Sequence, residues 1–236
     1  MTIQDLKNSF SSRYGEGAVE AFFSPGRVNL IGEHTDYNGG FFFPRAPPFF
    51  TYCLVGFLDP ESLRVSSAHL DFETEIALDA PILPLEKVWV NYPLGVIAQF
   101  IKRGLLFDKG ADLLFYGNVP NGAGLSSSAA LEVVTAVAID ALYGFGFERV
   151  ELVKMAQKAE HEFAGVMCGI MDQFASGMGK KNHAIFLNCD TLDFELVPVV
   201  LDGYKIVISN TNSPHKLDSG KYNERVAECR AAVAAI

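Results

Sequence analysis

Pro120-Asn121-Gly122-Ala123-Gly124-Leu125-Ser126-Ser127-Ser128-Ala129-Ala130 stands between a strand-like run at residues 111–116 and a helical pattern that starts near Ser126 and continues through Leu142. A strand that breaks into glycines and re-enters a helix gathers unpaired helix N–H groups, serine hydroxyls and the positive end of a helix dipole at one point, which suits a phosphate chain. The glycines allow a ligand to approach the backbone closely. No Lys is present, so this is not a Walker A loop, and the spacing fails the dinucleotide fingerprint at Ser127. A glycine-rich loop with a serine helix cap is the competing reading of the same residues.

Outward from this segment, strand-like and helix-like patterns alternate without internal repeat, low-complexity block or long linker, which predicts an α+β fold. Residues 22–31, 41–43 and 52–58 are strand-like, and Leu94, Ile97 and Ile101 keep helical spacing before Gly104. Downstream, a helix opens at Val150 with the stripe Leu152, Met155, Ala156, Ala159 and Phe163 and ends near Gly165. Ile170, Phe174 and Met178 repeat every four residues, and strands are expected at 184–187, 194–197 and 205–209. A last helix carries Tyr222, Val226, Cys229, Val233 and Ile236 on one face. With no partner left in the sequence, that face is expected to be exposed, to be covered by a further domain or by self-association.

The 236 residues allow one large domain or two small ones, and 49 % hydrophobic with 12 % aromatic residues exclude a disordered chain. With 19 basic against 28 acidic residues and a net charge of −9, a general nucleic-acid or anionic-membrane surface is not expected. The first ten residues include Asp5 and Lys7 and no apolar core of a signal peptide, so a cytoplasmic location is expected. No run approaches the roughly 18 apolar residues of a membrane span. The four cysteines and five histidines are scattered without zinc-ligand spacing, so free thiols are expected.

Three further places carry chemistry. A polyphosphate bound without a lysine needs a cation, and Mg²⁺ favours hydroxyl and carboxylate oxygens; Glu160, beside the apolar stripe of its helix, is a candidate, with a solvated helix carboxylate as the alternative. Arg27, Glu33, His34, Asp36 and Asn38 crowd into residues 25–40, where carboxylates and imidazole could bind sugar hydroxyls; a polar turn is the alternative. Asp172 lies on a helix face otherwise made of Cys168, Gly169, Ala175, Ser176 and Gly179. Close backbone packing would explain the small residues but would bury the carboxylate at a cost, so a pocket with Asp172 as base or anchor accounts for the face better.

Together these segments resemble the sugar kinases of the galactokinase, homoserine kinase, mevalonate kinase and phosphomevalonate kinase superfamily. The galactokinases are the close match. Residues 26–40 look like their signature, 121–130 like the superfamily phosphate loop and 168–174 like the segment with the catalytic aspartate, and the similarity extends from about residue 22 to 228. The resemblance implies a lobe like domain 2 of ribosomal protein S5 over residues 1–204, binding sugar and ATP, and the opening of a truncated C-terminal lobe over 205–236. It implies phosphorylation of the C1 hydroxyl of α-D-galactose by ATP, with a non-catalytic galactose and ATP sensor, or a kinase of an amino sugar, as rivals. Asp172 matches the base, and Arg27 the cation that offsets its burial. Glu33, His34, Asp36, Gly169 and Tyr222 match sugar contacts, and Trp89 the aromatic residue beside adenine. Gly122, Ala123, Gly124, Leu125, Ser126, Ser127 and Ser128 match the ATP loop, with Ser128 and Glu160 as magnesium ligands. Departures are Arg45 and the prolines of residues 45–50 in place of a smooth strand, Leu94 where Lys is common, and no counterpart of the third, glycine-rich motif before Ile236.

Overall fold

In a computed structural model describing residues 1–57, 62–86, 89–120, 122–210 and 219–235, the chain runs through α1 (Ile3–Tyr14), β1 (Glu20–Pro25), β2 (Val28–Asn29), a 3₁₀ turn (Asp36–Asn38), β3 (Phe41–Phe42), β4 (Pro44–Arg45), β5 (Phe50–Gly56), β6 (Ser62–Ser67), β7 (Thr74–Ala77), α2 (Asn91–Lys102) and β8 (Ala111–Gly117). It continues through α3 (Ser127–Tyr143), α4 (Arg149–Ala159), a π turn (Glu160–Ala164), α5 (Met171–Met178), β9 (His183–Asn188), β10 (Phe194–Pro198) and α6 (Ser219–Ala234).

The strands form two sheets. One has the order β1-β5-β8-β6-β7, antiparallel except for the β6–β8 pair. Parallel neighbours need a crossover, and α2 lies within the one that joins β6 to β8. The smaller sheet has the order β10-β9-β4-β2, with β3 also on β9. α3 packs across β1 and β5 and against α2, α4 and α5, so it runs through the centre of the molecule. That position explains its sequence: Ala129, Ala130, Val133, Val134, Ala136, Ala138 and Ile139 are buried on all sides, and small residues let neighbouring helices approach.

Several expectations change. Residues 205–209 form no strand, because an apolar run becomes a strand only beside a partner, and among the described residues none pairs with it. Leu58, at the end of the 52–58 run, and Ile236 lie outside the described residues. The last helix is not bare along its whole stripe. Val226 is only 4 % exposed and Cys229 half-buried, whereas Val233 is 72 % exposed. The Asn223 side chain explains the docking: its carbonyl accepts from Met167 N at 3.0 Å and its amide donates to Gly165 O at 3.2 Å. Leu94 belongs to the core at 1 % exposure, so its place is set by packing. The N-terminal segment, unassigned by periodicity, is a helix started by a capping box in which Thr2 and Asp5 each accept from the other's backbone N–H.

Candidate active site

The strand-to-helix loop approaches the turn after β1 so closely that a side chain at Gly26 would meet Leu125 O at 2.5 Å. Arg27 N donates to that same carbonyl at 3.0 Å. Two segments about a hundred residues apart are thereby locked together. The guanidinium of Arg27 then reaches two ways: Nη1 donates to Gly124 O at 2.6 Å, and Nε and Nη2 each lie 2.7 Å from Asp172 Oδ1. The other carboxylate oxygen, Oδ2, accepts from Ser126 Oγ at 2.7 Å.

Ser126 does not serve as the serine cap of the competing reading. It occupies the helix N-cap position but is left-handed, at φ 58°, and its side chain makes no capping bond. A non-glycine residue in that region stores strain, which persists where the surroundings hold it. Here the hydroxyl is spent on Asp172, and among the described residues no side chain caps the first turn of α3, which leaves its N–H groups facing the loop. Gly122 and Gly124, at φ 66° and 69°, have nothing within 4 Å of where a side chain would stand. They serve the turn and leave open space beside the loop.

Glu160 is the first residue of the π turn, and Gly165 at φ 71° ends that turn. Glu160 continues the four-residue spacing of the buried Leu152 and Ala156 and points inward at 4 % exposure, so the solvated-carboxylate reading does not hold. Its Oε1 accepts from Ser128 Oγ at 3.0 Å. Burial, and next the charge of Asp172, push its pKa up to about 7 despite hydrogen bonds from Ser128, Cys168 and Gln173. A hydroxyl and a buried carboxylate without a cation fit Mg²⁺, which keeps water and phosphate oxygens as its other ligands. The described residues contain no group of three or more His, Cys, Asp or Glu side chains placed to hold a metal ion.

These residues line one cavity of about 560 Å³, which holds Arg27, Glu33, His34, Asp36, Gly169 and Asp172 together with residues 122–128 and Glu160. A second cavity of about 330 Å³, lined by Ser67, His69, Trp89, Tyr92 and Phe115, shares Ser127 and Ser128 with the first. The serines therefore stand where the two spaces meet. Trp89 Nε1 donates to Asp71 O and Phe72 O at 3.0 and 3.2 Å, which fixes the indole at the wall. In the larger cavity, Asn29 Nδ2 donates to Glu33 Oε1 at 3.0 Å, and His34 Nδ1 lies 2.6 Å from Tyr37 Oη. Burial, and next the charge of Asp172, raise the pKa of Asp36.

The small-residue face packs closely in some places and borders the cavity in another. A side chain at Gly169 would collide with Asp36 Oδ2 at 2.0 Å, Ser176 O accepts from Ser24 at 3.2 Å, and Gly179 approaches Ala46, so the face does pack closely. Asp172, between them, opens into the cavity. The Tyr222 side chain and Asn121 lie outside the described residues. Sequence reasoning missed Gln173 and Glu132: Gln173 Nε2 donates to Glu132 and to Glu160. Glu132 follows Ser128 by four residues on the same helix face, a spacing that marks it.

A sheet flanked by helices, with a serine loop feeding a helix N-terminus, is the architecture of the GHMP kinases, and the chain belongs to that family. The model of the GHMP kinases N terminal domain matches residues 91–180. Within the family the chain falls with the galactokinases: a galactokinase galactose-binding signature matches residues 8–57. The chain is 52 % identical to the galactokinase of Fusobacterium nucleatum, over 98 % of this chain and 59 % of that one, and 48 % identical to that of Clostridium beijerinckii, over 99 % and 61 %. The crystal structure of Lactococcus lactis galactokinase complexed with galactose superposes with a TM-score of 0.93 at 43 % identity, covering 98 % of this chain and 61 % of that one. The mevalonate kinase of Methanococcus jannaschii, at 17 % identity and a TM-score of 0.64 over 76 % and 56 % of the two chains, shares the fold. The chain thus spans about three fifths of the length of the galactokinases it matches.

Proposed function

We propose that this site transfers the γ-phosphoryl group of ATP to the C1 hydroxyl of α-D-galactose. The observation that carries the reading is that Asp172, held by Arg27 and Ser126, faces the same cavity as the uncapped helix N-terminus with Ser128 and Glu160. A sugar hydroxyl at Asp172 and a phosphate chain at residues 122–128 would then meet in one space. The L. lactis galactokinase is known with galactose bound, and the sugar is proposed here on that likeness.

In the reaction, the bond from galactose O1 to the γ-phosphorus forms, the bond from that phosphorus to the bridging oxygen of ADP breaks, and the hydroxyl proton passes to Asp172. Arg27 keeps the carboxylate turned to the substrate and lies where it can also offset charge on the transferred group. Glu33, His34, Asp36 and Tyr222 would bind sugar hydroxyls, with Gly169 seating Asp36 through the close approach described above. Residues 122–128 would hold the phosphates through backbone N–H groups and serine hydroxyls, and Trp89 would border adenine. Ser128 and Glu160 would hold Mg²⁺, which neutralises phosphate charge when bound. Among the described residues no helix is long and apolar enough to cross a membrane, and a cytoplasmic role in galactose use follows from the proposal.

A coupled assay of ADP release on this chain, with galactose, glucose or no sugar, tests the reading. Release that depends on galactose is expected. ADP release indifferent to sugar, or tight binding of both substrates with no turnover, would overturn it.

A further inference from the structure

Glu160 is gripped from behind. While Oε1 faces Ser128, Oε2 accepts from Gln173 Nε2 at 2.5 Å and from Cys168 Sγ at 3.4 Å. Gln173 follows Asp172 on α5 and is 0 % exposed. A carboxamide nitrogen carries two hydrogens, and this nitrogen also lies 3.0 Å from Glu132 Oε2 on α3, so both are used on carboxylates. Glu132 is likewise 0 % exposed, and among the described residues no salt bridge reaches Glu132 or Glu160. The arrangement is poor as mere core packing: Glu132 Oε1 and Gln173 Oε1 are buried without a hydrogen-bond partner, a burden that an apolar pair would avoid.

We infer that Gln173, anchored on Glu132, is a positioning residue for Glu160. By tying down Oε2 it leaves Oε1 turned toward Ser128 and the cavity, as a metal ligand there requires. The inference rests on the proposed phosphoryl-transfer reading and names the residues behind its metal site. It also accounts for the adjacency of Asp172 and Gln173: consecutive residues of α5 serve the two carboxylate positions of one cavity, Asp172 directly and Gln173 through Glu160. Burial and the charge of Glu160 raise the pKa of Glu132 well above the ordinary carboxyl range, which limits the repulsion between the two acids that share one amide.

The test is Mn²⁺ binding in the presence of ADP, followed by the electron paramagnetic resonance of free Mn²⁺, on the whole chain. Residues that orient metal ligands commonly change affinity by about 10- to 100-fold. Gln173→Met should weaken Mn²⁺ by about that factor while galactose binding and far-ultraviolet circular dichroism stay near those of the parent. Should Gln173→Met fail to fold, two variants at the anchor decide: Glu132→Gln retains a carbonyl acceptor for Gln173 and should lose less Mn²⁺ affinity than Glu132→Met. Equal affinities in that pair, or a folded Gln173→Met with affinity within about twofold of the parent, well short of the expected loss, would overturn the inference. If Glu160→Ala still weakens Mn²⁺ in that case, only the inference fails. A parent chain that binds no Mn²⁺ with ADP overturns the metal site and the inference together.

Discussion

Asp172 and Glu160 line the same cavity and are treated in opposite ways. Asp172 has a guanidinium on one oxygen and a hydroxyl on the other, so its charge is matched within the protein. Glu160, more deeply buried, has a hydroxyl, an amide and a thiol but, among the described residues, no cation, and its pKa rises to about 7. Two acids whose surroundings differ in this way are suited to different tasks. Under the proposed function the matched one would act on a substrate without an added ion, whereas the unmatched one would become favourable as an anion once a metal binds.

The largest expected effect is on the matched side. Asp172→Asn keeps the shape but not the proposed base, and galactose-dependent ADP formation should fall about 10²- to 10⁴-fold while galactose affinity holds. Steady-state rates within a few-fold of the parent would erase the distinction between the two acids.

On the unmatched side the effect is one of pH. The folded protein raises the pKa of Glu160 from an unfolded value of 4.5 to about 7, so between these values the folded state binds the extra proton. Stability is therefore greatest below pH 4.5 as far as this group is concerned and falls as pH rises through 7, by up to about 3 kcal/mol. Urea unfolding of the metal-free chain from pH 5 to 8 should show this loss, and Glu160→Gln should flatten it. A stability that rises across that range in the parent and not in the variant would reverse the assignment. The smallest effect belongs to Ser126→Ala, which removes one of the two holds on Asp172 and leaves Arg27. A single hydrogen bond contributes about 1 kcal/mol, so a loss near fivefold in turnover is expected in the same rate assay.

The local signals were legible in the residues alone. Glycines and serines at a strand-to-helix boundary mark a helix N-terminus suited to an anion because that terminus and its dipole are local properties, and α3 starts where they predict. The small residues around Asp172 likewise disclosed a carboxylate with room beside it. Partners remote in sequence were not legible in spacing: Arg27 stands 145 residues from Asp172, and it was the family resemblance that joined them. Residues 205–209 show the converse, for a strand pattern specifies an apolar face without specifying which strand will lie beside it. Glu160 was ambiguous because a carboxylate at the edge of an apolar stripe can turn inward or to solvent, and only the packing around α4 shows that it is buried.

The account is tested most directly by crossing the two acids with the two ligands in calorimetry. Asp172→Asn and Glu160→Gln are each titrated with D-galactose and with ADP in the presence of Mg²⁺. The account predicts that Glu160→Gln weakens nucleotide binding about tenfold or more through loss of the metal and leaves galactose affinity near that of the parent, while Asp172→Asn retains Mg²⁺-dependent nucleotide binding. Equal losses for both ligands in both variants would contradict the division of labour between Asp172 and Glu160.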